Sequence, residues 1–234
     1  MMLAELDSLL AATPESADAA VLKAAVIDQN VTGKKTLSGR NRTYRYLREL
    51  YALDPSHLSY RALRDLWNVD PMARPLLALL SALARDPALR ATAPVILESP
   101  EGTHISADDL SAAVRTAYPH SYSESIAAKI GRNTASTWTQ SGHLAGRTNK
   151  VRAKAAPTPA AVAYALLLGH TEGLRGLPLF DTLWCKVLDR PRDVLVEQAQ
   201  RASQRGLIDL KHGGGVIEVG FKMLLRPYEE APGE

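Results

Sequence analysis

Apolar residues recur at helical spacing through the first half of the chain, in short runs cut by proline and aspartate. Leu3 to Ala12 forms the first run and Pro14 stops it. Ser16 or Asp18 can cap a second helix reaching about Asn30, with Val21, Leu22, Ala25 and Val26 on one face. A third starts at Ser38 or Asn41 and buries Tyr44, Leu47, Leu50 and Tyr51. Its opposite face shows Arg42, Arg45 and Arg48. Asp54-Pro55 ends it, and Leu58 to Trp67 follows as another amphipathic helix. Pro71 suits the first turn of the next helix, which runs through Leu76, Leu77, Leu80 and Leu83 to Arg85.

The polar stretch from Glu98 to His104, with Pro100 and Gly102, marks a boundary. Beyond it, Ser106 with Asp108 and Asp109 begins a helix that ends near Tyr118-Pro119. Another helix runs from Ser123 to about His143, with a break at Gly131 as one option. The segment from Ala145 to Lys154 has the chemistry of a small basic hairpin or extended arm. Thr158-Pro159 then opens an apolar helix, a helix containing Trp184 follows, and Arg190-Pro191 opens a last one ending at Gly206. Leu207 to Lys211 and Val216 to Phe221 read as two strands joined through Gly213, Gly214 and Gly215. Helices followed by a glycine-turned hairpin are the order of a winged helix-turn-helix. The expected fold is mostly α: a helical lobe over residues 1–98, a winged-helix-like module over 99–156, and a second helical module with a β-hairpin over 157–234.

Composition agrees with helices. Leu and Ala dominate and aromatics are 6% of the chain, which disfavours a sandwich or barrel. The single cysteine, Cys185, excludes an internal disulfide framework and sits in an apolar stretch as a core thiol would. The opening residues carry no basic stretch and are broken by Glu5 and Asp7, so no leader is expected. The most apolar windows fall short of the roughly 20 residues of a spanning helix, making the cytoplasm the expected location and a membrane an unexpected partner.

Charge changes the picture more. The net charge is only +3, yet Gln29 to Arg48 holds Lys34, Lys35, Arg40, Arg42, Arg45 and Arg48 without one acid. Ser125 to Thr171 holds Lys129, Arg132, Arg147, Lys150, Arg152 and Lys154, again without an acid, so the remainder is net acidic. Ordinary solvated faces mix both signs, whereas two acid-free basic segments form an electrostatic footprint for a polyanion. On a helical wheel, Lys129, Arg132, Asn133, Ser136, Gln140 and His143 share one arc, opposite Ala127, Ile130 and Trp138. Guanidinium, amide and hydroxyl groups on one face are those that bond phosphates and read base edges. The last long helix repeats this more weakly: Gln200, Arg201 and Gln204 share their face with Glu197, which favours an ordinary exposed surface.

Catalytic signals are missing from the sequence. The six histidines share no metal-ligand spacing with each other or with acids, and no nucleophile elbow, Walker loop or dinucleotide fingerprint occurs. Neither an enzyme nor a bound metal or cofactor is expected.

Val26-Ile27-Asp28-Gln29-Asn30, a lysine-containing turn and the run from Thr43 to Leu53 together resemble the N-terminal signature of BrxA-like proteins. Those are accessory components of BREX bacteriophage-exclusion systems. Leu63 to Ala84, with Leu66-Trp67, continues the resemblance, and the helix ending in Ser141-Gly142-His143-Leu144 is similar to their C-terminal region. The resemblance covers about residues 1–150; the segment after Ala155 is longer than the family leads one to expect. It implies a small, helical, non-enzymatic protein that binds double-stranded DNA, with a helical lobe similar to the NusB-type antitermination fold and other phage-defence proteins as partners. The alternative is a protein–protein interaction scaffold or regulator in a defence complex, its basic faces serving acidic partners. Oligomeric state has no sequence signature here.

Overall fold

Proline and capping residues set the helix boundaries of the computed structural model, which describes residues 1–227. α1 (Leu3–Ala12) ends before Pro14. Asp18 accepts the Val21 N–H at 2.8 Å and opens α2 (Ala19–Ile27). α3 (Leu37–Tyr51) begins just ahead of the expected Ser38 or Asn41, because Thr36 supplies the cap by accepting the Gly39 N–H at 3.0 Å. A left-handed Ala52, φ 53°, ends it. α4 (Leu58–Val69), a 3-10 turn (Pro71–Ala73) and α5 (Arg74–Arg85) complete the first helical group. Two five-residue helices follow, α6 (Pro87–Ala91) and α7 (Ala93–Leu97).

The second region starts with α8 (Ala107–Ala117), held by a reciprocal capping box. The Asp109 N–H donates to Ser106 Oγ at 3.1 Å, and the Ser106 N–H donates to Asp109 Oδ2 at 2.8 Å. Asp108-Asp109 thus serves the helix start, as expected. α9 (Glu124–Gln140) is capped by Ser123 and runs unbroken through Gly131. The glycine is there for packing: a Cβ at Gly131 would lie 2.2 Å from the Ala107 carbonyl oxygen and 3.0 Å from Ser111 Cβ. Its lack of a side chain lets α8 and α9 approach closely.

β1 (Leu144–Ala145) and β2 (Val151–Arg152) form the short antiparallel hairpin expected after α9, and His104 adds an isolated bridge to Val151. Past α10 (Pro159–Thr171), a 3-10 turn (Leu177–Asp181) and α11 (Leu183–Lys186) lead to α12 (Arg192–Gln204). β3 (Asp209–Gly213) and β4 (Val216–Gly220) then pair in register from Asp209–Gly220 to Gly213–Val216. Their turn is Gly214-Gly215, with φ 58° and 79°, the left-handed pair that two-residue hairpin turns require.

The architecture is therefore mostly helical with two short antiparallel hairpins. Buried side chains from all three expected segments join one cluster running from Leu6 to Leu224. Residues 228–234 of the last expected segment lie outside the described part. At the centre of the cluster, α10 is buried on every side from Ala160 to Gly169 and packs against α4, α5, α11 and α12. Cys185 is fully buried, and burial pushes its thiol up to about 12, which keeps it protonated and inert.

Candidate nucleic-acid interface

α3 buries Leu47 and Tyr51 as expected, and Thr43 with them, but Tyr44 and Leu50 are only half-buried. Arg42, Arg45 and Arg48 project into solvent. Arg42 and Arg48 make no side-chain hydrogen bond or ion pair among the described residues. Arg45 is engaged: its Nε lies 3.9 Å from Glu49, and its guanidinium lies 4.9 Å from the Tyr46 ring centroid. Both partners of that ion pair are more than half exposed, so screening leaves it weak.

α9 buries Ala127, Gly131, Thr134, Ala135, Thr137 and Trp138 and exposes Lys129, Arg132, Asn133 and Ser136. It is tied to the junction of α6 and α7 by Trp138, whose Nε1 donates to Thr92 Oγ1 at 2.8 Å. The result is one groove of about 820 Å³ between α3 and α9. Arg42 and Tyr46 stand on the α3 wall, and Lys129, Asn133 and Ser136 on the α9 wall. One cation from each basic segment, Arg42 and Lys129, thus lines a single depression. Glu49 and Asp86 also face it. The Met1 amine lines its floor and bonds Thr137 Oγ1; burial lowers that amine to about 6, against the pull of Asp86 and Glu5.

Other residues expected to contact DNA carry structural duties. Lys34 pairs with Glu5 at 2.7 Å. Arg40 donates to the Ile27 carbonyl at 3.1 Å and so closes the C-terminus of α2. Gln140, expected near base edges, uses its amide on the start of the chain: Nε2 donates to the Met1 carbonyl at 3.3 Å and Oε1 accepts the Leu3 N–H at 3.3 Å. Lys150 donates to Thr139 Oγ1 at 2.8 Å, tying the hairpin to the end of α9.

Arg152 is not available to phosphate. It is 4% exposed, forms two bonds to Asp189 at 2.8 and 2.9 Å, and donates to the Ile96 carbonyl at 2.6 Å. His143, placed on the same polar arc, is fully buried. Its Nε2 lies 2.8 Å from the Val187 carbonyl, which can only accept, so that nitrogen carries the proton. Burial lowers this imidazole to about 4.

Lys35 and Arg147 are exposed and make no side-chain hydrogen bond or ion pair among the described residues, Arg147 lying in the loop between β1 and β2. Lys154, also without such a bond among the described residues, lines a different cleft, beside α7 and α11. Two aromatic residues of the groove escaped the sequence reading. Tyr46 lies one turn from Arg42 and is 38% exposed, a signal visible as an aromatic on the cationic arc. Tyr122, in the turn before α9, meets Tyr118 edge-on with centroids 6.2 Å apart.

No group of three His, Cys, Asp or Glu among the described residues is arranged to hold a metal, and no helix is long and apolar enough to cross a membrane. Comparison with known protein families, curated proteins and solved structures finds no match to the chain.

Proposed function

We propose that the chain binds duplex DNA with little sequence preference, through the groove between α3 and α9. One observation carries this reading: Arg42 and Lys129, one from each acid-free basic segment, line the same depression, and neither makes a side-chain hydrogen bond or ion pair among the described residues. Arg42, Arg48, Lys129 and Arg132 would hold phosphates, while Asn133 and Ser136 offer neutral donors and acceptors for base edges. In this reading α8, α9 and the β1–β2 hairpin act as a winged helix-turn-helix, with Arg147 at the wing's tip, and α1–α7 act as a NusB-like lobe. The protein needs no catalytic group for this role. A place in a prokaryotic phage-defence system rests on the resemblance to BrxA-like proteins.

Glu49 and Asp86 favour a second reading, a scaffold that docks a protein segment of mixed charge in the same groove. A gel shift with duplex DNA across a salt series separates the two. Phosphate-driven binding weakens steeply with salt. The absence of any shift at low salt would replace DNA with a protein partner.

A further inference from the structure

A second cleft, of about 710 Å³, opens between α7 and the connection from α11 to α12. Its size lies within the roughly 300–1,000 Å³ of small-molecule sites. Arg90, Lys154, Lys186 and Arg190 line it, against the carboxylates of Glu98 and Asp189. Asp189 is already spent, because both its oxygens bond the buried Arg152 and one also accepts the Ala155 N–H at 3.3 Å. Lys154 and Lys186 have no side-chain hydrogen bond or ion pair among the described residues. Arg90 and Arg190 each donate to a main-chain carbonyl, at 3.3 and 3.0 Å, which leaves their charge uncompensated. Four cations therefore face one free acid, an arrangement that repels itself until an anion enters.

The rest of the lining narrows the ligand. Leu97, Leu183 and Pro191 supply an apolar surface on which a flat ring can lie. Glu98 disfavours a run of phosphates but suits a ligand that carries hydroxyl or amine donors away from its phosphate. We propose that this cleft binds a nucleoside phosphate, its phosphate on Lys154, Lys186 and Arg190, its ring on the apolar side and its sugar or base donors toward Glu98. The proposal is independent of DNA binding in the α3–α9 groove.

Calorimetric titration of the full chain with AMP, ATP, inorganic phosphate and adenosine tests it. Saturable binding of a nucleotide is expected, with phosphate and adenosine each weaker. Lys154→Ala/Lys186→Ala should weaken nucleotide binding about tenfold or more, while Arg42→Ala/Lys129→Ala should leave it unchanged. No saturable binding of either nucleotide would overturn the proposal, as would inorganic phosphate binding as tightly as AMP. So would undiminished affinity in the lysine double variant with normal melting. If that variant folds poorly, Lys186→Glu at its exposed position decides in the same way. A chain that binds nucleotide here but shifts no DNA would refute the groove reading alone.

Discussion

Arg152 and Asp189 stand 37 residues apart and meet through two bonds of 2.8 and 2.9 Å, with the Arg152 side chain 3% and the Asp189 side chain 12% exposed. The pair fastens β2 to the loop between α11 and α12. Asp189 adopts a left-handed backbone, φ 59°, a conformation costly outside glycine, and its carboxylate is bound to Arg152 there.

Removing one member leaves a buried charge without its partner. Arg152→Ala should destabilise the protein by about 3–5 kcal/mol in urea unfolding. Arg152→Lys should recover little, since a lysine cannot reproduce the fork that meets both oxygens. A variant as stable as the parent would mean that water replaces the pair at no cost.

On α3, two kinds of arginine should separate. Arg42→Ala/Arg48→Ala should weaken binding to all duplexes and lower the salt slope by about one for each phosphate no longer neutralised. Their melting should barely change, as neither side chain makes a hydrogen bond or ion pair among the described residues. Arg40→Ala should do the reverse, losing about 1–2 kcal/mol of stability with the α2 closing bond while keeping the slope. Equal slopes in the parent and the Arg42/Arg48 variant would remove α3 from the interface.

Gly131→Ala tests helix propensity against packing. In an isolated helix the change would stabilise by about 1 kcal/mol. Here the new methyl would meet the Ala107 carbonyl at 2.2 Å, so α8 and α9 must separate. Overpacking of about 1–3 kcal/mol should win, giving lower thermal stability. A higher melting temperature would show that the two helices tolerate wider spacing.

His143 gives stability a pH dependence of defined sign. Its folded value of about 4 lies below the ordinary 6.5, so folding favours the neutral ring. Its contribution is complete above pH 6.5 and drains away as pH falls toward 4, by about 3 kcal/mol in total. Urea unfolding at about pH 7.5, 6 and 5 should show the decline, and His143→Gln should flatten it. Asp189 and Arg152 act on this ring in opposite directions, which leaves desolvation as the main cause.

Much of this helical order was legible because its signals are local. Asp18 and the Ser106–Asp109 box sit within three residues of the groups they serve, and Gly214-Gly215 defines its own turn, whereas Pro71 opens a 3-10 turn ahead of α5 and not α5 itself. The site was harder to read, because a cation's partner can lie anywhere in the chain. Lys34 gave no hint of Glu5, nor Arg152 of Asp189, nor Gln140 of Met1 and Leu3. A basic residue in an acid-free stretch looks free until folding brings a distant acid or carbonyl to it. The wheel of α9 erred at its C-terminal end, where Gln140 and His143 turn toward other elements, and at Ile130, which is half-buried and lines the groove beside the polar residues. The meeting of α3 and α9 across one groove depends on how whole helices pack, which no local pattern encodes.

The enclosed position of α10 also sets an order of events during synthesis. α4 and α5 emerge from the ribosome long before residues 159–171, the segment that shields part of their leucine surface. Until that segment arrives, the first half of the chain displays apolar side chains from Leu76 to Leu83 that the finished protein hides. Nascent chains stalled near residue 150 should therefore be sticky and chaperone-bound, even though they already contain both walls of the groove.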